Sequence, residues 1–228
     1  MKYEMVLERL HSMANPEAVK GMARYGINPK NNLGISIYKL REIAKEIGKN
    51  HELALELWNS GIHDARLLAV FVDDPKLVTG EQMDAWVLDF DSWDVCDQAC
   101  TSLFDLSPFA WKKVFEWAER DEELVKRAAF SLIAGLAVHD KEAGDDEFER
   151  CSPLIKQCTV DERNYVRKAV NWALRNIGKR NIALNKQMIK LSKEILEIDS
   201  KSARWIARDA LRELASEKIQ KRLAEKKK

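Results

Sequence analysis

Residues 91–97 have the side-chain types of a ligand-binding surface. The stretch reads Asp91-Ser92-Trp93-Asp94-Val95-Cys96-Asp97, so Trp93 and Asp97 are four residues apart. At that spacing an indole and a carboxylate share one face of a helix. Such a face suits contact with a ligand, and it equally suits an acid that stabilises a helix N-terminus beside a packed tryptophan. The spacing alone favours the structural role.

Two later stretches are basic. Val125-Lys126-Arg127-Ala128 sets two cations before small residues, which allow close approach of a neighbouring backbone. Lys168, Trp172 and Arg175 then fall at i, i+4 and i+7 of a predicted helix. This basic–aromatic–basic stripe suits phosphate contacts beside an aromatic plane. It also suits a core aromatic residue covered by the stems of its long neighbours, and the residues leave both roles open.

The elements that carry these residues recur along the chain. A short phrase recurs with a step of 41 residues: Val125-Lys126-Arg127-Ala128, Val166-Arg167-Lys168-Ala169 and Ala207-Arg208-Asp209-Ala210. A looser copy, Asp64-Ala65-Arg66-Leu67, lies upstream out of register. A period near 40 built from paired helices is typical of HEAT-type solenoids. We therefore predict an all-α fold, a right-handed superhelix of antiparallel helix pairs with a concave basic face.

The apolar spacing predicts thirteen helices. They cover residues 2–13, 15–25, 36–48, 50–60, 62–73, 80–90, 92–105, 108–119, 121–138, 144–158, 162–178, 182–198 and 201–225. Asn15 before Pro16, and Asp91-Ser92 before the next apolar run, have the residue types of helix N-caps. Asn28 to Asn32 is the clearest loop.

Length and composition indicate one folded domain over residues 1–228, with a basic tail at about 216–228. The chain has 46% hydrophobic residues, nine glycines and five prolines, which favours helices joined by short loops. It has no run of 18 apolar residues and no apolar stretch after Met1-Lys2-Tyr3-Glu4 that is typical of a signal peptide. We expect a cytoplasmic protein with no membrane contact.

The four cysteines, Cys96, Cys100, Cys151 and Cys158, do not have the spacing of a zinc site. The four histidines lie far from them in the sequence. We therefore expect four small buried residues in a reducing compartment, with no metal and no cofactor.

Charge is distributed unevenly. The net charge is +1, but residues 161–228 contain 19 lysines and arginines against 9 acidic residues. This surplus favours a polyanionic partner for the C-terminal third, although solvated outer faces of helices are also rich in Lys and Arg.

Several of these stretches resemble one known family in their order and spacing. They are Met22-Ala23-Arg24-Tyr25, Leu33-Gly34-Ile35, the Trp-Asp-x-x-Asp of 93–97, the Arg-Ala-Ala of 127–129, and Lys168-Ala169-Val170-Asn171-Trp172-Ala173-Leu174-Arg175. Over residues 15 to 215 the chain resembles the AlkD-type DNA alkylation repair proteins, which are HEAT-like repeat DNA glycosylases.

The resemblance implies an activity and a site. The family excises purines made cationic by alkylation at N3 or N7, and its motifs assign the catalytic positions to Asp97, Trp93, Arg127 and Trp172. It implies a monofunctional hydrolase that needs no base-flipping pocket. The chain departs from the family at Ser92, where relatives often have a further tryptophan, and at Asn171, where a small residue is common.

The implied partner is duplex DNA containing alkylated bases, bound by a monomer. Basic residues of the central and C-terminal helices would contact phosphates: Lys126, Lys168, Arg175, Lys179, Arg180, Arg204 and Arg208. Two other functions fit a helical repeat scaffold. One is non-catalytic binding of bent or branched DNA, and the other is a protein–protein scaffold.

Overall fold

The computed structural model describes residues 2–225. Within that range it consists of α-helices and one short 3-10 turn, with no β-strand, which confirms the all-helical prediction. No helix in this range is both long and apolar enough to cross a bilayer. The chain divides into two compact units, Met1–Ala110 and Trp111–Lys228. The single domain over 1–228 stays a prediction, and Lys226 to Lys228 of the predicted basic tail lie outside the described residues.

Unit 1 is organised around one buried helix. Its elements are α1 (Tyr3–Ser12), α2 (Pro16–Ala23), α3 (Ile37–Ile47), α4 (His51–Asn59), α5 (His63–Val72), α6 (Gly80–Leu88), α7 (Trp93–Ser102) and the 3-10 turn Phe104–Leu106. Helix α5 packs against α3, α4 and α7. Eight of its ten residues are buried, because its sequence HDARLLAVFV is apolar on nearly every side. Beside it Trp58 and Trp86 stack with ring centroids 3.9 Å apart.

Unit 2 is organised around α12. Its elements are α8 (Ala110–Ala118, which begins at the last residue of unit 1), α9 (Glu123–His139), α10 (Asp145–Glu149), α11 (Cys151–Cys158), α12 (Asn164–Gly178), α13 (Ile182–Leu196), α14 (Lys201–Leu214) and α15 (Glu217–Glu225). Helix α12 packs against α9, α13 and α14. The repeat residues Val125, Val166 and Ala207 are all buried, one in each of α9, α12 and α14. The 41-residue period therefore corresponds to equivalent helices packed on one another.

Gly178 allows the end of α12 to approach α14 closely. A Cβ atom at this position would lie 2.6 Å from Cδ1 of Leu214, well inside van der Waals contact. Any larger residue would therefore require the Leu214 side chain to move.

Two of the predicted helices are broken in the structure. The helix expected over 144–158 is interrupted at Arg150, between α10 and α11. Pro153 explains the break, since proline has no N–H for a bond to the carbonyl four residues earlier and its ring crowds that carbonyl. The helix expected over 201–225 is interrupted at Ala215 and Ser216. There the Ser216 hydroxyl donates to Glu213 O (2.6 Å) and accepts from Ile219 N (3.4 Å), which ends one helix and begins the next.

Candidate functional site

Helix α7 positions the predicted residues of unit 1. Val95, Cys96, Ala99 and Cys100 are buried and seat one side of this helix in the core. Trp93 and Asp97 lie one turn apart on its other side, and each is half-buried. Both residues are therefore partly accessible to solvent on the same helix.

The indole of Trp93 is held in place by the segment that follows α2. Its Nε1 donates to the backbone oxygen of Tyr25 over 3.0 Å. Tyr25 is 78% exposed, which is high for an aromatic residue. This contact orients the Trp93 ring and joins α7 to the segment that contains Tyr25.

Ser92 occupies the N-cap position of α7, as predicted, but its side chain makes no capping hydrogen bond. Ser92 is instead buried at 1% exposure, and its Oγ accepts from Asn28 N over 2.8 Å. Asn28 Nδ2 also donates to Asp91 Oδ2 over 2.9 Å. Ser92 thus joins the 28–32 loop to the start of α7.

A buried histidine lies beneath this end of α7. Nε2 of His63 is 3.1 Å from Oδ2 of Asp94. The two atoms are close enough for an ion pair, but the angle is too bent for a hydrogen bond, and neither ring nitrogen of His63 has a hydrogen-bond partner among the described residues. Burial lowers the pKa of His63, but the carboxylates of Asp94, Asp64 and Asp91 outweigh it, so the pKa is raised above 6.5.

Asp64 next to it is a structural residue. It is fully buried, and its two carboxylate oxygens accept from Leu33 N (2.6 Å) and Ile35 N (2.8 Å). Satisfied hydrogen bonds of this kind allow a carboxylate to remain buried. The upstream copy of the repeat phrase therefore anchors the segment before α3 and presents no acid at the surface.

Arg127 in unit 2 is almost completely buried. Its exposure is 5%, its Nη1 donates to the backbone oxygen of Tyr165 over 2.8 Å, and its guanidinium carbon lies 5.9 Å from the centre of the Tyr165 ring. The structure thus places Arg127 against α12 and away from the open surface.

Trp172 lies on α12, two turns after Tyr165. It is half-buried, and within residues 2–225 its indole N–H makes no hydrogen bond. The preceding residue, Asn171, is buried and its Nδ2 donates to Asp209 Oδ2 over 2.7 Å. Asn171 therefore joins α12 to α14, while Trp172 keeps part of its ring accessible.

The predicted phosphate contacts fall into two groups. Lys168 and Arg208 are exposed, Lys126 is half-buried, and none of the three forms a salt bridge with another residue of the described range. The others are held by the protein. Arg175 Nη1 lies 2.7 Å and Lys179 Nζ 3.1 Å from the two oxygens of Glu213, and Arg204 lies 2.9 Å from Asp199.

Arg180 has a structural environment. Its guanidinium donates to the carbonyls of Ala137 (3.4 Å) and Ala143 (2.7 Å), and it lies 4.5 Å from the centre of the Phe148 ring. These contacts satisfy carbonyls at and beyond the C-terminal end of α9. A phosphate would have to compete with all three.

The pair formed by Arg167 and Trp205 was not predicted from the sequence. The guanidinium of Arg167 lies 5.2 Å from the centre of the Trp205 ring, and Trp205 is 40% exposed. The available signal was an arginine 38 residues before an aromatic residue, three less than the repeat period, since Arg127 and Tyr165 have the same offset.

The four cysteines are buried, as predicted. Burial raises the pKa of Cys100 well above 9.0 and that of Cys151 to about 12. Thiols of this kind are poor nucleophiles at neutral pH. Within residues 2–225 no three side chains of His, Cys, Asp or Glu come together as metal ligands would.

Two bacterial proteins are similar to this chain over most of its length. An uncharacterised protein of Listeria innocua is 24% identical over 215 residues, covering 86% of this chain and 96% of that protein. One of Listeria monocytogenes is 23% identical over 197 residues, covering 85% and 86%.

A solved structure described as "a new family of proteins related to the HEAT-like repeat DNA glycosylases with affinity for branched DNA structures" matches with a TM-score of 0.77 and 20% identity. The match covers 93% of this chain and 95% of that one. The chain therefore has the predicted HEAT-like repeat fold. The family model for DNA alkylation repair enzymes matches residues 6–214. Since this match spans nearly the whole chain, the protein is a member of the DNA alkylation repair enzyme family.

Proposed function

We propose that the protein is a monofunctional DNA glycosylase that removes positively charged N3- or N7-alkylated purines from duplex DNA. The observation that carries this proposal is the arrangement on α7. Asp97 reaches solvent one turn after Trp93, whose ring is fixed by the carbonyl of Tyr25. Membership of the DNA alkylation repair family supports the same conclusion.

The reaction is a hydrolysis of the N-glycosidic bond. An N3- or N7-alkylated purine already bears a positive charge, so it leaves with the bonding electron pair as a neutral base and needs no general acid. Positive charge then develops on the deoxyribose, where water adds to the anomeric carbon and loses a proton. A carboxylate at the position of Asp97 would stabilise that charge and orient the water.

The two tryptophans would act through their ring faces. A cation over an indole face is stabilised by about 0.5–2 kcal/mol. Because Nε1 of Trp93 is bound to Tyr25 O, the ring has lost its rotational freedom before DNA arrives. We propose the same role for Trp172, which is half-buried on α12.

DNA binding would use the basic residues of unit 2. Arg127 is 5% exposed and donates to the Tyr165 carbonyl, so a phosphate contact there would require the side chain to leave this buried position. If Lys168, Arg175, Lys179, Arg180, Arg204 and Arg208 each neutralise one phosphate, the slope of log affinity against log salt is about −5. The slope becomes shallower by about 1 for each cation that stays with its partner in the protein.

The test is base release from methylated duplex DNA. Wild-type protein should release 7-methylguanine or 3-methyladenine, and Asp97→Asn should lower the single-turnover rate by about 100-fold, the usual loss on removing one electrostatic contact to a transition state. The matched control is Asp121→Asn, which makes the same change at an exposed site and should leave the rate unchanged. No release by folded wild-type protein would overturn the proposal.

A second candidate is non-catalytic binding of branched DNA. It is favoured by the structural neighbour whose description includes affinity for such DNA. It predicts tight binding of a four-way junction, no base release, and full binding by Asp97→Asn. Measuring release and junction affinity on the same protein samples separates the two functions.

A further inference from the structure

A surface cavity in unit 1 is lined by cations. Its volume is about 390 Å³, and Arg41, Lys45 and Lys49 line it together with Phe71 and Ser102. Arg41 and Lys45 are four residues apart on one face of α3, and Lys49 follows just after the end of that helix. None of the described residues that line the cavity is acidic. Residues 1–110 as a whole contain 17 acidic residues against 11 lysines and arginines. The cavity is therefore a positively charged site in a unit whose net charge is negative.

The acidic residues of α3 do not neutralise these cations. Glu42 pairs with Lys39 over 2.8 Å, and Glu46 pairs with Arg9 of α1 over 2.5 Å. The hydrogen bond from Arg9 lowers the pKa of Glu46, so that carboxylate stays ionised and bound to Arg9. Lys45 is exposed and forms no salt bridge within residues 2–225.

The other two cations are oriented by neutral groups. Lys49 Nζ donates to the carbonyls of Phe71 (3.1 Å) and Asp73 (2.6 Å), which cancels the partial negative charge at the end of α5. The Arg41 guanidinium lies 5.2 Å from the centre of the Phe71 ring and donates to Gln98 Oε1 over 3.1 Å. In these contacts neither cation is paired with a carboxylate.

The cavity lies beside the helix that carries the candidate catalytic residue. Gln98, which accepts from Arg41, is the residue after Asp97 on α7. Ser102, on the cavity wall, is five residues beyond Asp97, which is about 7.5 Å along the helix axis and about 140° around it. The cavity and Asp97 therefore lie on different sides of α7.

From this arrangement we infer that the cavity binds a phosphate of the DNA backbone. The inference rests on the proposed function for its ligand, and it adds a DNA contact in the acidic N-terminal unit. Lys45 supplies the uncommitted charge, and Arg41 is held against α7 by Gln98. The Ser102 hydroxyl, which lies 3.5 Å from Gln98 Oε1, is a further donor.

The first experiment measures binding of an unmodified duplex by fluorescence anisotropy at several salt concentrations. Lys45→Ala should weaken binding about fivefold at low salt and make the salt slope shallower by about 1, as expected for one lost phosphate contact. Alanine favours the helix, so the variant should fold. The control is Lys76→Ala, which removes the same charge from an exposed site in the same unit, away from the cavity. Equal effects of the two substitutions would overturn the inference.

The second experiment titrates labelled protein with inorganic phosphate alone and follows amide resonances by NMR. Saturable shifts at Lys45 and Ser102 that disappear in Lys45→Ala are expected. Absence of these shifts would refute a phosphate site. If inorganic phosphate binds but Lys45→Ala leaves the duplex affinity unchanged, the phosphate group that the cavity binds does not come from DNA.

These measurements are independent of catalysis. A wild-type protein that binds duplex through Lys45 but releases no base would contradict only the glycosylase proposal. If the wild-type protein binds no duplex at low salt, the DNA phosphate assignment fails together with the proposed function, and the titration alone reports on the cavity.

Discussion

Arg127 and Tyr165 are joined at two levels. Nη1 of Arg127 donates to the Tyr165 carbonyl over 2.8 Å, and the guanidinium lies against the Tyr165 ring. The same offset of 38 residues recurs in the pairs Arg167–Trp205, Asn171–Asp209 and Arg175–Glu213. It is three less than the repeat period, so each side chain reaches one turn earlier on the next equivalent helix. Neighbouring repeats of unit 2 are thus linked by a ladder of side-chain contacts.

Removing the first of these contacts should destabilise the protein. Arg127→Met keeps much of the side-chain volume but leaves the Tyr165 carbonyl without its charged donor. The free energy of unfolding should fall by about 2 kcal/mol, measured by urea denaturation. Lys126→Met, a half-buried neighbour without a salt bridge among the described residues, should change it by less than about 0.5 kcal/mol. Equal losses in both variants would contradict the assigned role.

The contact between Ser92 and Asn28 should hold the 28–32 loop on α7. Ser92→Ala removes the acceptor of a 2.8 Å hydrogen bond, and the free energy of unfolding should fall by about 1 kcal/mol. The control is Ser12→Ala, which removes only the local hydrogen bond from the exposed Ser12 hydroxyl to Arg9 O at the end of α1. Hydrogen exchange at the Asn28 amide should accelerate in the first variant alone. An unchanged exchange rate would show that the serine does not restrain the loop.

The pairing of His63 with Asp94 should make stability depend on pH. Because the folded-state pKa of His63 is raised above 6.5, its stabilising contribution is complete below about pH 6.5 and is lost as pH rises through the raised pKa. His63→Gln should therefore cost more stability at about pH 5.5 than at about pH 9. Asp94→Asn should reduce the contribution of His63 to the pH dependence of the free energy of unfolding. A stability cost of His63→Gln that increases with pH would contradict the stabilising role of this pairing.

Glu213 should compete with DNA for two of the predicted phosphate contacts. Burial raises the pKa of Glu213, but Lys179 and Arg175 outweigh it and lower that pKa, so the carboxylate is ionised and bound to both. Glu213→Gln should release these cations and strengthen duplex binding about threefold at low salt. Glu194→Gln, whose partner Lys156 is not a predicted contact, should leave affinity unchanged. Weaker binding by Glu213→Gln would argue against phosphate contacts at Arg175 and Lys179.

Much of the fold could be predicted because its determinants are local. Apolar spacing and the 41-residue period located α9, α12 and α14, and their packing on one another follows from that repeat. The two broken helices also had local signals, in Pro153 and Ser216, that apolar periodicity alone overlooks. Turn and cap chemistry determines where a continuous apolar stripe ends.

The environment of the site was less accessible to sequence reasoning. The indole of Trp93 is bound to a carbonyl 68 residues away, and the Ser92 hydroxyl to an amide 64 residues away. No short-range pattern encodes such contacts, since backbone donors and acceptors are the same for every residue type. The ion pairs of Arg175 and Lys179 with Glu213 could not be predicted either. Counting charged residues gives the net charge of a segment but does not show which residues pair.

The central position of α12 in unit 2 has a consequence for local unfolding. This helix is packed between α9 and α14 and also touches α13, so its backbone amides open to solvent only when its neighbours have separated. Solvent deuterons should therefore label the amides of α15 first and those of α12 last. Nicking or fraying at the C-terminal end of the chain should then leave the helix that carries Trp172 folded.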